Sequence, residues 1–480
     1  MNRRTKIVAT LGPATESAEM IHALMDAGVD VFRMNFSHGT KEQKAELIPL
    51  IRREAERRLR AVAILGDLQG PKIRAGTMEN GRLELIRGSE VTITTRDVVG
   101  RGYLFSTTYS GLPGDVQTGE RILLDDGNLE LTVLAVGEDE VRCRVEVGGT
   151  LRDRKGINLP GSRVSAPAIT AKDREDLAFC VAQGIDFIGQ SFVRRADDVT
   201  ELKGLIRQLG AATPVIAKIE KPQALQEFDA ILAEVDGVMV ARGDLGVEMN
   251  PEKIPLIQKR IIYSCNRAGK PVITATQMLE SMIANPRPTR AETSDIANAI
   301  LDGSDAVMLS GETAVGRYPL EAVTMMGRVA DDVEKEPILQ PHIFHPPTVA
   351  ERDRELSEII AEAACEVAHN VRAAAILTFT QTGRTAALVA KYRPSLPIFA
   401  VTPSLEVRRR LVLYRGVRSM QVCTDGGTET QIAAVAQAAR ESGRLRAGDV
   451  VVIVMGSPVS AAGTTNLIKV QRLKRATFLF

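Results

Sequence analysis

Tryptophan is absent from the chain, and its five cysteines, Cys143, Cys180, Cys265, Cys365 and Cys423, are scattered singly with no CxxC pair. A disulfide framework is therefore excluded, and isolated thiols of this kind fit a reducing compartment. The five histidines form no HExxH or related cluster, which excludes a zinc site and leaves oxygen as the donor for any metal. No apolar run is long enough for a membrane span, and the opening MNRRTKIVATLGP is too short in its apolar part for a signal peptide. The expected location is the cytoplasm, without membrane association. Charge of one sign is lacking too: the net charge of +1 argues against a general nucleic-acid binder. Neither a GxGxxG after a strand nor a GxxxxGK[ST] occurs, so Rossmann and P-loop nucleotide sites are excluded.

What is present is a repeating alternation. Short runs rich in Val, Ile and Ala alternate with amphipathic stretches, the pattern of β/α units around a parallel sheet. Eight runs are expected as strands: Lys6 to Leu11, Val29 to Asn35, Ala61 to Asp67, Ile185 to Ser191, Pro214 to Glu220, Gly237 to Arg242, Pro271 to Thr276 and Ala306 to Ser310. Eight closes a barrel. Thr289 with Glu292 reads as a capping box, and Gly28, Gly184, Gly210, Gly269 and Gly303 as helix ends.

The spacing breaks once. From Pro71 to about Pro167 apolar and polar residues alternate, as in Arg82 to Thr95 and Leu129 to Val147, with glycines at turns. After Glu336 the segment PILQPHIFHPP reads as a boundary. Beyond it, runs near Ala373 to Thr378, Pro397 to Thr402, Arg418 to Cys423 and Asp449 to Met455 suggest an open, mostly parallel sheet. The expected fold class is α/β: an eight-stranded β/α (TIM) barrel from 1–70 and 168–345, an inserted all-β domain, expected as a β-barrel lid, at 71–167, and a C-terminal open α/β domain at 346–480.

In such barrels the chemistry sits at the carboxyl ends of the strands. The strand alternation sends Lys218 and Glu220 to one side, toward the barrel axis. A structural salt bridge is one reading of that pair. Asp244 at the end of the next strand favours another, in which two carboxylates hold Mg²⁺ jointly with a phosphorylated substrate and Lys218 faces the phosphoryl group. Arg33, Arg74, Lys155 and Lys218 together suit several phosphates, although each alone reads as a solvated charge. Gly243 beside Asp244 reads either as a simple turn or as a place where a ligand approaches the backbone N–H.

The segments RMNFSHG, GDLQGPKIR, KGINLPG, AKIEK, ARGDLG, TATQMLESM, NPRPTRAE and SGETA, in this order and over essentially the whole chain, resemble the pyruvate kinase family. The resemblance implies transfer of the phosphoryl group of phosphoenolpyruvate to ADP, giving pyruvate and ATP as the last step of glycolysis, with Mg²⁺ (or Mn²⁺) held by Glu220 and Asp244. It implies Arg33 on the substrate phosphate and Lys218 on the phosphoryl group in flight. Gly243, Asp244 and Thr276 are implied around the substrate carboxylate and enolate, and Ser310 and Glu312 in the proton path. Arg74, Lys155, Pro13 and His38 fall on the nucleotide side, and the insert closes over it. Asn35, Ser37, Asp67 and Leu68 match the monovalent-cation position. Lys72 stands where K⁺-requiring members have glutamate, and Leu68–Gln69 where they usually have Thr-Lys, so a tethered ammonium is expected to replace K⁺. In TFTQTGRTA, Thr380, Thr382, Gly383, Arg384 and Thr385 form an expected effector phosphate site, alongside a reading as plain helix capping. Gln381, where bisphosphate-activated members usually have lysine, and a later loop without arginine point to a sugar or nucleotide monophosphate. A homotetramer is implied as well. A barrel lyase or aldolase and a catalytically silent metabolite sensor are the alternatives.

Overall fold

The computed structural model describes residues 3–162, 164–336, 355–422, 428–441, 443, 445–456 and 464–473. Cys423, the proline-rich connection after Glu336 and most of the loop GSPVSAAGTTN lie outside these. Eight parallel strands close a barrel: β1 (Lys6–Thr10), β2 (Val31–Asn35), β3 (Ala63–Asp67), β4 (Phe187–Gln190), β5 (Val215–Ile219), β6 (Gly237–Ala241), β7 (Val272–Ala275) and β8 (Ala306–Leu309). Each begins and ends no more than two residues from its expected bounds.

Alternation along the strands builds two cores. Outward residues such as Ile7, Phe32, Ile64, Ile188 and Val240 pack under the surrounding helices. Inward residues Val8, Val31, Leu65, Ile216, Met239, Ile273 and Met308 fill the barrel, where Val412 and Leu413 of the C-terminal domain join them. Two residues further along, the inward row changes from apolar to polar, reaching Thr10, Arg33, Asp67 and Lys218, and the site begins there.

Register is set at the opposite end by a repeated device. Asp30, Asp186, Asp236 and Asp305 each immediately precede an even-numbered strand, and each accepts a backbone N–H near the start of the strand before it: Ile7 at 3.0 Å, Ile64 at 2.7 Å, Val215 at 2.9 Å and Val272 at 3.0 Å. A one-residue slip would turn inward charges outward, so these bonds protect the site. Helix ends carry the expected chemistry. Thr289 and Glu292 cap each other's backbone reciprocally at the start of the helix Arg290–Leu301, and Gly269 closes the helix Ile254–Ala268 at φ 67°, where a side chain would be strained.

The insert is a separate core of Leu, Ile and Val side chains. Its strands form a six-stranded sheet, in the order Ile157–Asn158, Arg121–Leu124, Leu129–Val136, Glu140–Val147, Glu90–Thr94, Leu104–Ser106, and a two-stranded sheet of Gly149–Arg152 with Arg82–Leu85. The C-terminal domain is a five-stranded sheet, in the order Val417–Gln421, Ile398–Thr402, Ala375–Phe379, Val450–Met455, Leu467–Arg472, with apolar clusters on both faces. Its last strand pairs antiparallel.

Polar ties join this domain to the barrel: Arg409 lies 2.7 Å from Asp186, and Lys6 donates to the Val417 carbonyl at 2.6 Å. Among the described residues no helix is long and apolar enough to cross a membrane, and Cys143, Cys180, Cys265 and Cys365 are buried free thiols.

Candidate active site at the barrel mouth

Arg33 on β2 stands opposite Thr10 on β1 in register, and its Nη1 donates to the Thr10 hydroxyl at 3.0 Å. Two further guanidinium nitrogens converge on Oδ2 of Asp67, each at 2.6 Å. The other oxygen of Asp67 faces Lys218 Nζ at 3.3 Å and accepts from the Ser191 hydroxyl at 3.4 Å. Gly189 on β4 leaves room for this carboxylate, because a Cβ there would lie 3.2 Å from Oδ1.

Lys218 Nζ also donates to Ser191 Oγ at 2.7 Å and stands 2.9 Å from Glu220 Oε1. The other Glu220 oxygen accepts the Phe192 N–H at 2.7 Å. Phe192 achieves this at φ 55°, a left-handed conformation that costs an L-residue energy and that clusters at functional sites.

The electrostatics follow from this packing. Burial acts to lower the Lys218 ammonium, but the Asp67 and Glu220 carboxylates outweigh it and hold its pKa above the ordinary lysine value. Lys218 is thus a permanent cation, suited to stabilising charge and not to taking up a proton. Burial would raise Asp67, and Lys218 and Arg33 bring it below the usual range. Glu220 moves the other way: burial, helped by the charge of Asp244, raises it in spite of Lys218.

Asp244, near the start of the helix Arg242–Glu248, makes no side-chain hydrogen bond or ion pair among the described residues. Three carboxylates, Asp67, Glu220 and Asp244, therefore meet two cations, Arg33 and Lys218. An excess of negative charge with an unpartnered carboxylate fits a divalent cation. No group of three or more His, Cys, Asp or Glu able to hold a metal occurs among the described residues, so Glu220 and Asp244 would leave positions open to substrate and water.

Thr276, just past β7, has φ 69°, and the next residue Gln277 has φ 54°. Its hydroxyl accepts the Gly243 N–H at 2.7 Å. Arg242 holds this turn by donating to the Ala275 and Thr276 carbonyls at 3.2 and 2.6 Å while pairing with Asp295 at 2.7 Å. Glu312 is fully buried, and both its oxygens accept backbone N–H groups, Leu279 at 3.0 Å and Ser310 at 2.7 Å.

On the other side of the mouth, Asn35 Oδ1 accepts the Ser37 N–H at 2.9 Å, and the Leu68 carbonyl accepts from Ser191 at 2.7 Å. Burial, then the charges of Arg74, Lys72, Arg33 and Lys44, lower the His38 imidazole. Lys72 lines a cleft between insert and barrel together with Asp244, Phe192, Arg194, Lys221 and Asn158. Arg74 Nη1 donates to the Arg154 carbonyl at 3.0 Å, and Lys155 pairs with Asp125 at 2.7 Å. Pro13 is exposed, in a turn closed by the Thr15 N–H on the Gly12 carbonyl at 2.7 Å.

The arrangement joins Arg33, Asp67, Lys218 and Glu220 by direct contact and joins Thr276 to Gly243. It sets Thr380, Thr382, Gly383, Arg384 and Thr385 apart, in the C-terminal domain. There Thr380 caps the Gly383 N–H at 2.9 Å, Thr385 bonds Thr465 at 2.9 Å, and the exposed Arg384 pairs with Glu355. Sequence reasoning missed Thr10, Ser191, Phe192 and Arg242. Their positions at strand ends were a signal for all four, but their partners come from other strands.

Residues 2–323 match the family model described as "Pyruvate kinase, barrel domain", and residues 358–471 match "Pyruvate kinase, alpha/beta domain". The chain belongs to the pyruvate kinase family. It is 48% identical over 477 residues to pyruvate kinase 2 of Synechocystis and 48% identical over 477 residues to the pyruvate kinase of Geobacillus stearothermophilus, covering 98% of this chain and 80% of each relative. The crystal structure of a pyruvate kinase from Cryptosporidium parvum superposes with a TM-score of 0.90 at 41% identity, covering 98% of this chain and 96% of that one. The enzyme is accordingly a pyruvate kinase, whose substrates are phosphoenolpyruvate and ADP and whose family generally uses a divalent metal. The lyase and sensor alternatives fall away.

Proposed function

We propose that this pyruvate kinase works with Mg²⁺ or Mn²⁺ held by Glu220 and Asp244, without needing K⁺, as the last step of glycolysis in the cytoplasm. The observation that carries the metal assignment is the charge imbalance: Lys218 is shared between Glu220 and Asp67, at 2.9 and 3.3 Å, and Asp244 has no cationic partner among the described residues. A bound divalent ion supplies charge that ties the substrate phosphate to the enzyme and offsets charge on the moving oxygens.

Arg33, oriented by Thr10 and Asp67, holds the phosphate of phosphoenolpyruvate. Lys218 stays protonated and stabilises the phosphoryl group as it transfers. The backbone at Gly243 and Asp244, with Thr276, receives the substrate carboxylate, and the Thr276 hydroxyl then stands near the enolate to be protonated. Ser310 belongs to the proton path. Glu312, its oxygens occupied by two amides, orients Ser310. Arg74, Lys155, His38 and Pro13 face ADP, and the insert excludes water when it closes.

The oxygens of the monovalent-cation position already have partners within the chain: Asp67 with Arg33, Asn35 with Ser37 and Leu68 with Ser191. That supports activity without K⁺, with the Lys72 ammonium supplying the charge. Buried free thiols support the cytoplasmic reading. We also infer a homotetramer, and activation by a sugar or nucleotide monophosphate at Thr380, Thr382, Gly383, Arg384 and Thr385. The direct test is pyruvate and ATP formation from phosphoenolpyruvate, ADP and Mg²⁺ in K⁺-free buffer, where turnover is expected and its absence would refute the assignment.

A further inference from the structure

Glu248 is the last residue of the helix that begins at Arg242 and carries Gly243 and Asp244. Its side chain is only 1% exposed, yet it has no part in the scheme above. One of its oxygens, Oε1, takes two donors from different parts of the fold: Lys221 Nζ at 2.5 Å and Asn158 Nδ2 at 2.9 Å. Lys221 directly follows Glu220, and its ammonium lies 5.7 Å over the Phe192 ring. Phe192 in turn gives its N–H to Glu220. Asn158 belongs to the insert, in the two-residue strand that pairs with Arg121–Leu124.

The Phe192 ring also abuts the point where the chain leaves the barrel for the insert, since a Cβ on Gly70 would meet Phe192 Cδ2 at 2.9 Å. The group Phe192, Lys221 and Glu248 therefore touches the insert's stem where it departs and where it returns. Glu220 accepts the Phe192 N–H, and Asp244 lines the same cleft as Asn158, Phe192 and Lys221.

We propose that Glu248 is a positioning residue that latches the inserted domain to the metal-binding elements. A buried carboxylate accepting from both Lys221 and Asn158 makes a charge-assisted link, stronger than a neutral one and costly to leave half made. Of its two arms, the Lys221 arm lies within the barrel and persists as the insert moves, whereas the Asn158 arm spans the cleft and forms only when the insert stands over the mouth. The latch thus favours the closed position, in which nucleotide is enclosed. This rests on the reading that the insert covers bound ADP.

The test uses the full-length enzyme with Asn158→Ala, and Glu248→Gln as second variant because glutamine can still accept from Asn158. Hydrogen exchange of the stem amides around 71–75 and 156–161, measured without substrates, is expected to speed up about tenfold in Asn158→Ala, the equivalent of one charge-assisted hydrogen bond. The KM for ADP should rise by a similar factor, with the KM for phosphoenolpyruvate and the Mn²⁺ affinity unchanged. Glu248→Gln should show a smaller rise in stem exchange, because its acceptor survives. Wild-type exchange and ADP KM in Asn158→Ala, or equal loss of both substrates, would overturn the latch. A wild-type enzyme that made no ATP would refute the catalytic reading instead, and the exchange data would still decide the latch.

Discussion

Lys218 Nζ stands 2.9 Å from Glu220 Oε1, on a side chain two positions along the same strand end. That contact, together with Asp67 at 3.3 Å, keeps the lysine charged in a buried setting that would otherwise discharge it. In the proposed role, Lys218 would therefore begin the reaction with its charge already in place.

Removing that charge should cost turnover far more than binding. Lys218→Met is expected to lower kcat about 10³-fold, the scale of losing one preorganised donor to a developing charge, with a small change in the KM for ADP. Steady-state kinetics check this. A fully active variant would contradict the role assigned to Lys218.

Asp67 makes an opposite kind of prediction, on stability. It is the common partner of Arg33 and Lys218, and removing one member of a buried charged group leaves the others uncompensated. Asp67→Asn should destabilise the protein by about 3–5 kcal/mol at neutral pH. The folded pKa of Asp67 is depressed, so its ionised form favours the folded state above the ordinary aspartate value, and that contribution disappears as pH falls through the lowered folded value. The gap between wild type and variant should therefore narrow with acidification, as denaturant titrations across that range would record.

Much of this site was legible in the sequence, and the reason is periodic. An alternation of two sends Lys218 and Glu220 to one side, and eight apolar runs with polar ends predict where the charges collect. Contacts between strands were not legible. Asp67 read as a cation ligand, and nothing local to it says that Arg33 and Lys218 would both turn to it. Phe192 gave no hint that its backbone would adopt a strained conformation to serve Glu220. The aspartates before the even-numbered strands recur as VDVF, IDFI, VDGV and SDAV, a regularity in plain view whose meaning depends on the strand next door. The antiparallel edge strand Leu467–Arg472 was missed because three of its six residues, Lys469, Gln471 and Arg472, are polar, so no apolar run marks it.

Lys72 should decide the monovalent-cation requirement. Wild-type activity is expected to be unchanged when K⁺ is replaced by a bulky organic cation in Na⁺-free buffer. Lys72→Glu should reverse this, with activity that falls at least about tenfold until K⁺ is restored, the size of effect expected for one charge at a partly enclosed site. Strict K⁺ dependence in the wild type would refute the substitution of ammonium for ion.

Arg384 tests the effector assignment. Paired with Glu355 on an exposed surface, it costs little to release, and Arg384→Ala should leave unstimulated turnover intact. Activation by ribose 5-phosphate or by AMP, measured at low phosphoenolpyruvate, should vanish in the variant. Undiminished activation would remove this loop from consideration.

Glu220 and Asp244 are proposed to hold one divalent cation beside Lys218, and Mn²⁺ binding followed by electron paramagnetic resonance tests this without turnover. One site is expected in the wild type, weakened about 100-fold or more in Glu220→Gln and in Asp244→Asn by loss of a carboxylate ligand. Because burial and Asp244 raise Glu220 above the ordinary glutamate value, a proton competes with the ion. Wild-type affinity should therefore fall as pH drops toward that raised value, and the dependence should be lost in Glu220→Gln. Wild-type Mn²⁺ affinity in both variants would place the divalent cation elsewhere.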